Sequence, residues 1–223
     1  MKKELSDRLA SLADDSYRLF SERIIKTGKP VLGVRMGPIR ALAQELVRRP
    51  DWDYANLGPI ERDRYHEEGL LRALTIAYQR CEEQQRVVLL EQFLSHIDNW
   101  AICDSLCSTL KQARREPALY LSLILRHLHD EHPYTVRFSV VLLLSHFMQE
   151  SRIEENLKLL ERVSTDHYYV KMAVAWAIAT ANGVSPSLVQ PWMERSLTDP
   201  DIHSMASQKI RDSIRARGGN LGP

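Results

Sequence analysis

A seven-residue pattern returns every 34 residues along this chain, and a chain that repeats on that scale buries its apolar surface by stacking one unit on the next. Trp100-Ala-Ile-Cys-Asp-Ser-Leu lies 34 positions before Tyr134-Thr-Val-Arg-Phe-Ser-Val, and Tyr168-Tyr-Val-Lys-Met-Ala-Val follows after another 34. A fainter copy comes about 33 residues later, where Met205-Ala206 follow His203-Ser204 as Met172-Ala173 follow Val170-Lys171. Aromatic, branched and small residues keep their places through the three best copies. Between copies sits a second amphipathic stretch, such as 156–163.

Two amphipathic segments per period predict a helix pair per repeat. The fold expected is all-α: a HEAT-like or ARM-type superhelical solenoid of stacked antiparallel helix pairs. The period is short for a HEAT repeat, so HEAT-like is the apt description. Few glycines and many Leu, Ala, Arg and Glu favour helix over sheet. The spacing predicts helices near 3–27, 37–49, 59–79, 83–96, 99–112, 117–129, 133–149, 151–163, 167–181, 186–196 and 201–216. Pro38, Pro59 and Pro133 suit first turns, where no N–H partner is required. Asp98 and Asp166 suit N-caps. The chain reads as one domain over 1–223, with a frayed tail at about 217–223.

Net charge is +1, which points to nucleic acid only through a local basic stripe, because net charge averages over a surface. The three cysteines, Cys81, Cys103 and Cys107, form no disulfide framework, and Cys103 and Cys107 read as small buried hydrophobes. No window of 18 apolar residues offers a membrane span, and the first twenty residues lack the apolar core of a signal peptide. A cytoplasmic protein, acting as a monomer, is the expectation.

The segment 98–107 carries the most chemistry. Trp100 and Asp104 are four apart, so a helix puts them on one face. Asp104 stands among Ile102, Cys103 and Leu106, where a carboxylate requires a charged or hydrogen-bonding partner. Arg137, one repeat on, is the natural candidate, although an Asp–Arg pair between neighbouring helices is also common structural cement. The repeat register makes Cys103, Arg137 and Lys171 equivalent, and likewise Trp100, Tyr134 and Tyr168. A row of aromatic and basic groups along one groove is predicted.

The stretches 33–46, 65–74, 96–106, 132–144 and 167–179 resemble the AlkD-type DNA alkylation repair family over most of the chain. The motif carrying the resemblance is Trp-x-x-x-Asp on one helix, followed about a repeat later by Arg. The resemblance implies an active centre of Trp100, Asp104 and Arg137. It implies that Tyr168 packs against the DNA backbone and Lys171 contacts a phosphate. It further implies excision of positively charged N-alkylated purines, of the 3-methyladenine and 7-methylguanine type, from duplex DNA. No metal or other cofactor is called for, and the damaged base is not drawn into a pocket. Tyr168 stands where the best-known members have Trp.

Other features have plainer readings. Residues 127–133, with three histidines and two carboxylates, read as a helix end and a turn rather than a metal site. Residues 33–38 lack Walker or Rossmann spacing and read as a turn before a helix, although Arg35 and Arg40 can still reach DNA, as can Tyr134. His66-Glu67-Glu68 has no second histidine for a zincin motif. Trp52, Trp176 and Trp192 are expected in the core or between repeats. Two other functions fit the same fold: a non-catalytic binder of distorted or branched DNA, and a protein-interaction solenoid.

Overall fold

In the computed structural model, residues 2–218 are described and the chain divides into two compact units, Met1–Gln112 and Ala113–Pro223. The first unit holds α1 (Lys2–Ser11), α2 (Asp15–Ile24), α3 (Met36–Leu46), α4 (His66–Tyr78), α5 (Glu83–Leu94) and α6 (Trp100–Thr109). The second holds α7 (Pro117–His127), α8 (Pro133–His146), α9 (Ile153–Glu161), α10 (Tyr168–Val184), α11 (Pro186–Ser196) and α12 (Pro200–Gly218). The fold is all-α; among the described residues the only extended pairing is an isolated bridge between Ala13 and Val34.

Each unit is built of stacked helices. In the first, α4 is the hub and packs against α1, α3, α5 and α6. In the second, α8, α10 and α12 lie side by side, with α7 packed on α8 and with α9 and α11 on α10. This is the helical-repeat arrangement that the period predicts. The residues that open α4 and α6 are 34 positions apart, and those of α8, α10 and α12 are 35 and then 32 apart. The repeat therefore reaches back one copy further than the sequence pattern shows.

The hub helices have no polar face. Every residue of α4 from His66 to Ala77 is buried, and so is every residue of α8 except Pro133 and Ser145. Valine, leucine and phenylalanine fill α8 all round, as expected of a helix with no solvent side. Charged residues buried on α4 are satisfied: Arg72 makes a two-pronged pair with Asp63 at 2.9 and 3.0 Å. Glu67 accepts the backbone N–H groups of Leu32, Gly33 and Val34.

Several expected boundaries shift. The predicted helix over 3–27 is two helices, because Asp14 leaves the helix to cap α2, accepting the Tyr17 N–H at 3.0 Å. Its own N–H donates to the Gly33 carbonyl. Gly33 has φ +84°, and a Cβ there would stand 2.5 Å from the Asp14 oxygen, so only glycine allows this crossing. The predicted helix over 59–79 begins at His66; Pro59 instead precedes a short 3-10 turn, Ile60–Arg62. Asp98 is not the cap of α6; Asn99 is. Asp166 does not cap α10 either, since His167 holds that position without a side-chain bond. Of the tail expected to fray, residues 217 and 218 continue α12, and 219–223 lie outside the described residues.

Candidate functional site

The start of α6 is assembled from four segments of the first unit. The Asn99 carboxamide oxygen accepts the N–H groups of Ala101 (3.0 Å) and Ile102 (3.2 Å), fixing which way the amide points. Its NH2 therefore faces Asp98 Oδ1 at 2.7 Å and His66 Nδ1 at 3.2 Å. An amide that donates to Nδ1 selects the neutral imidazole with its proton on Nε2. The Thr27 hydroxyl closes the chain, donating to Asp98 Oδ2 at 2.6 Å. Burial holds the His66 imidazole below its ordinary pKa, with Lys29 pushing the same way against the pull of Glu67 and Asp98.

This frame positions Trp100. Its indole N–H donates to the Ile24 carbonyl, just where α2 ends, at 3.1 Å. One turn along, Asp104 lies on the same partly exposed stripe of α6, while Ile102, Cys103, Leu106 and Cys107 form the buried face. Trp100 and Asp104 are thus brought together as expected.

The second unit disposes the other predicted residues differently. Arg137 is only 3% exposed on α8, and its guanidinium donates to the Tyr169 carbonyl in the first turn of α10. Tyr134 is buried, its ring edge-on to His167 with centroids 5.5 Å apart. Tyr168 is 55% exposed and Lys171 is held by two carboxylates, Asp199 at 3.0 Å and Asp201 at 2.8 Å. Those acids raise the Lys171 pKa and offset its charge. The expected row of basic groups is therefore corrected: Cys103 is sealed in the core, Arg137 is buried and Lys171 is paired. The fourth position of a row helix faces its neighbours rather than solvent.

Trp176, expected in the core or between repeats, is 40% exposed and lines an open groove of about 530 Å³ between α10 and α12, with Thr180, Lys209 and Ser213. Tyr168, Met172, Trp176 and Thr180 follow at intervals of four, the spacing of one helix face, and none is buried. That spacing was the available signal. Trp192, by contrast, is buried and donates to Glu161, and Trp52 donates to Gln79.

Arg35 is engaged by Asp14 at 2.8 Å and lies over the Tyr17 ring. Arg40 donates to the Tyr78 hydroxyl at 3.1 Å. His127 of the histidine-rich turn pairs with Asp130, and among the described residues no group of three or more His, Cys, Asp or Glu side chains is disposed to hold a metal. No helix among them is long and apolar enough to cross a membrane.

Stacked helix pairs, with an indole and a carboxylate one turn apart on an open helix stripe, define the chain as a helical-repeat protein with its polar chemistry on helix faces. It belongs to the DNA alkylation repair enzyme family: the sequence model of that family matches residues 5–216, nearly the whole chain. Membership implies DNA as the partner. No curated protein shows significant sequence similarity to the chain.

Proposed function

We propose that the protein is a DNA-alkylpurine N-glycosylase that hydrolyses the bond between deoxyribose and a cationic N-alkylated purine in duplex DNA. The observation that carries this reading is the Trp100–Asp104 stripe of α6, with its indole braced by α2, in a chain of the DNA alkylation repair enzyme family.

The chemistry suits a carboxylate. A 7-methylguanine or 3-methyladenine base carries a positive charge, so the electron pair of the breaking glycosidic bond leaves with the base and neutralises it. Positive charge then builds on the sugar. A carboxylate near that sugar stabilises the transition state more than the ground state. In this reading Asp104 faces the sugar, orients the water that adds to C1′ and takes its proton. Trp100 lays its ring against the sugar edge and offers its face to the cation. Arg137, the third residue that the family resemblance assigns to the centre, is buried and bonded to the Tyr169 carbonyl, so in this reading it acts by bracing the start of α10. Tyr168, Arg35 and Arg40 are assigned to the DNA surface, and Trp176 joins them on the strength of its exposure, whereas Tyr134 is buried and Lys171 is held by Asp199 and Asp201. The base stays in the duplex, which distinguishes this mode from base flipping.

Release of 7-methylguanine from methylated duplex DNA tests the proposal. Asp104→Asn, which keeps the size of the side chain and removes its charge, is expected to lower single-turnover release by at least about a hundredfold, the scale on which a single electrostatic stabiliser acts. Unchanged release would remove Asp104 from the mechanism. Salt-sensitive duplex binding by the wild type without release would mark a non-catalytic DNA binder instead.

A further inference from the structure

We infer that Arg40, Arg48 and Arg80 form a phosphate-binding site for the DNA backbone in the first unit. The inference rests on the DNA-binding reading above and adds a contact point to it. Arg48 and Arg80 line a pocket of about 210 Å³ with Gln44, Val47 and Tyr78. Arg40 reaches the same place, because its guanidinium donates to the Tyr78 hydroxyl at 3.1 Å. Arg40, Gln44 and Arg48 follow at intervals of four along α3 and just past its end, and so share one side of it. Arg80 stands two residues after α4 ends.

Several acidic residues close to these arginines in sequence are engaged elsewhere. Glu45 of α3 accepts two bonds from Arg8, at 2.8 and 2.7 Å. Asp51 accepts two from Arg49, both at 3.1 Å. Glu83 pairs with Arg86 at 3.1 Å. Glu82 follows Arg80 by two residues but does not line the pocket. Among the described residues, no ion pair joins Arg40, Arg48 or Arg80 to a carboxylate.

The plainer reading is that cations collect at helix C-termini because the macrodipole favours them. Arg48 and Arg80 stand just past the ends of α3 and α4, which supply about half a negative charge each, so the two guanidiniums exceed that requirement by about one charge, and Arg40, in the first half of α3, answers no such requirement. Guanidinium groups around a polar hollow match a phosphate in shape, since each presents paired N–H donors to its oxygens. A tyrosine hydroxyl already oriented by Arg40 adds a further polar group. A backbone phosphate is the occupant that the partner of this family provides at high local density.

Binding of an undamaged, fluorescently labelled duplex is measured from 50 to 200 mM salt for the wild type, Arg48→Gln, Arg80→Gln and the double variant. Arg195→Gln on α11 serves as a control for the loss of bulk charge. Each pocket variant is expected to bind about three- to tenfold more weakly, equally for all sequences, with the logarithmic salt slope reduced by about one. Pocket variants that match the control, in a protein that binds duplex and releases alkylated base, overturn the site and leave the glycosylase reading standing. A wild-type protein that binds no duplex overturns both. Inorganic pyrophosphate binding that is lost in the variants while their duplex affinity holds assigns the pocket to a small phosphate and overturns the backbone assignment.

Discussion

At the residue scale, the frame around Trp100 couples folding to proton concentration. His66 is held neutral, with Nδ1 accepting from an Asn99 amide that has no freedom to turn round, because its oxygen is committed to two backbone N–H groups. Protonation would put a donor against a donor. The sign follows from the lowered folded-state pKa: the unfolded chain takes up the proton first as pH drops below the ordinary value of 6.5. His66 therefore supports the fold fully above that pH, and its support is lost as pH falls through the depressed folded-state value. His167, also lowered chiefly by burial, acts in the same direction. Thermal melting between pH 7.5 and 5.5 is expected to show a falling Tm for the wild type and a shallower fall for His66→Gln, with the remaining slope carried by His167 and the other groups. A variant as steep as the wild type would show that His66 does not titrate with folding. None of this was legible beforehand: His66 stood out only by the absence of a second histidine, since its partners Asn99 and Asp98 come from 33 and 32 residues further along.

At the scale of the element, what was readable and what was not divides by period. Trp100 and Asp104 were legible as neighbours because a helix alone fixes their spacing. The copies in α6, α8 and α10 were legible because one register returns there every 34 residues, and the copy in α12 only faintly. The copy at α4 escaped notice because that helix carries Glu67, Glu68 and Arg72 where α6 has Ala101, Ile102 and Leu106; their partners are the N–H groups of 32–34 for Glu67, Ser6 and the Tyr65 N–H for Glu68, and Asp63 for Arg72. Caps misplaced by one residue follow from the same limit: Asp98 and Asn99 are equally good caps by residue type, and only the tertiary pull of Thr27 on Asp98 decides between them. Asn99→Ala removes two cap bonds and leaves Asp98 and His66 without their amide. The expected loss is about 1–2 kcal/mol in urea unfolding, toward the upper end for a cap because the site is buried. A change within about 0.5 kcal/mol would mean that Asp98 takes over the cap.

At the scale of the molecule, charge is distributed by pairing rather than by excess. Asp14 faces Arg35, Glu45 faces Arg8, and Asp199 and Asp201 share Lys171. A sequence yields only the sum of these charges, so it suggested basic groups at positions 137 and 171 that are in fact buried or paired, and of the arginines near Tyr78 it pointed to Arg40 alone. Exposed aromatic surface shows the same limit: residue type alone placed Trp176 in the core or between repeats, and only the packing of α10 and α12 leaves its indole 40% exposed in the groove there.

The three sulfhydryl groups have a practical consequence. Cys103 and Cys107 are sealed inside α6's buried face, and burial raises the Cys81 thiol above its ordinary pKa despite the nearby Arg86, so at neutral pH little thiolate is present. Native protein should therefore react only slowly with Ellman's reagent, while the unfolded chain releases three equivalents. A prompt native equivalent would contradict this. Only Cys81 of the three is partly exposed, so with Cys81→Ser as background one cysteine introduced at Thr180, beside the exposed indole of α10, would carry a maleimide reporter for nucleic-acid encounter.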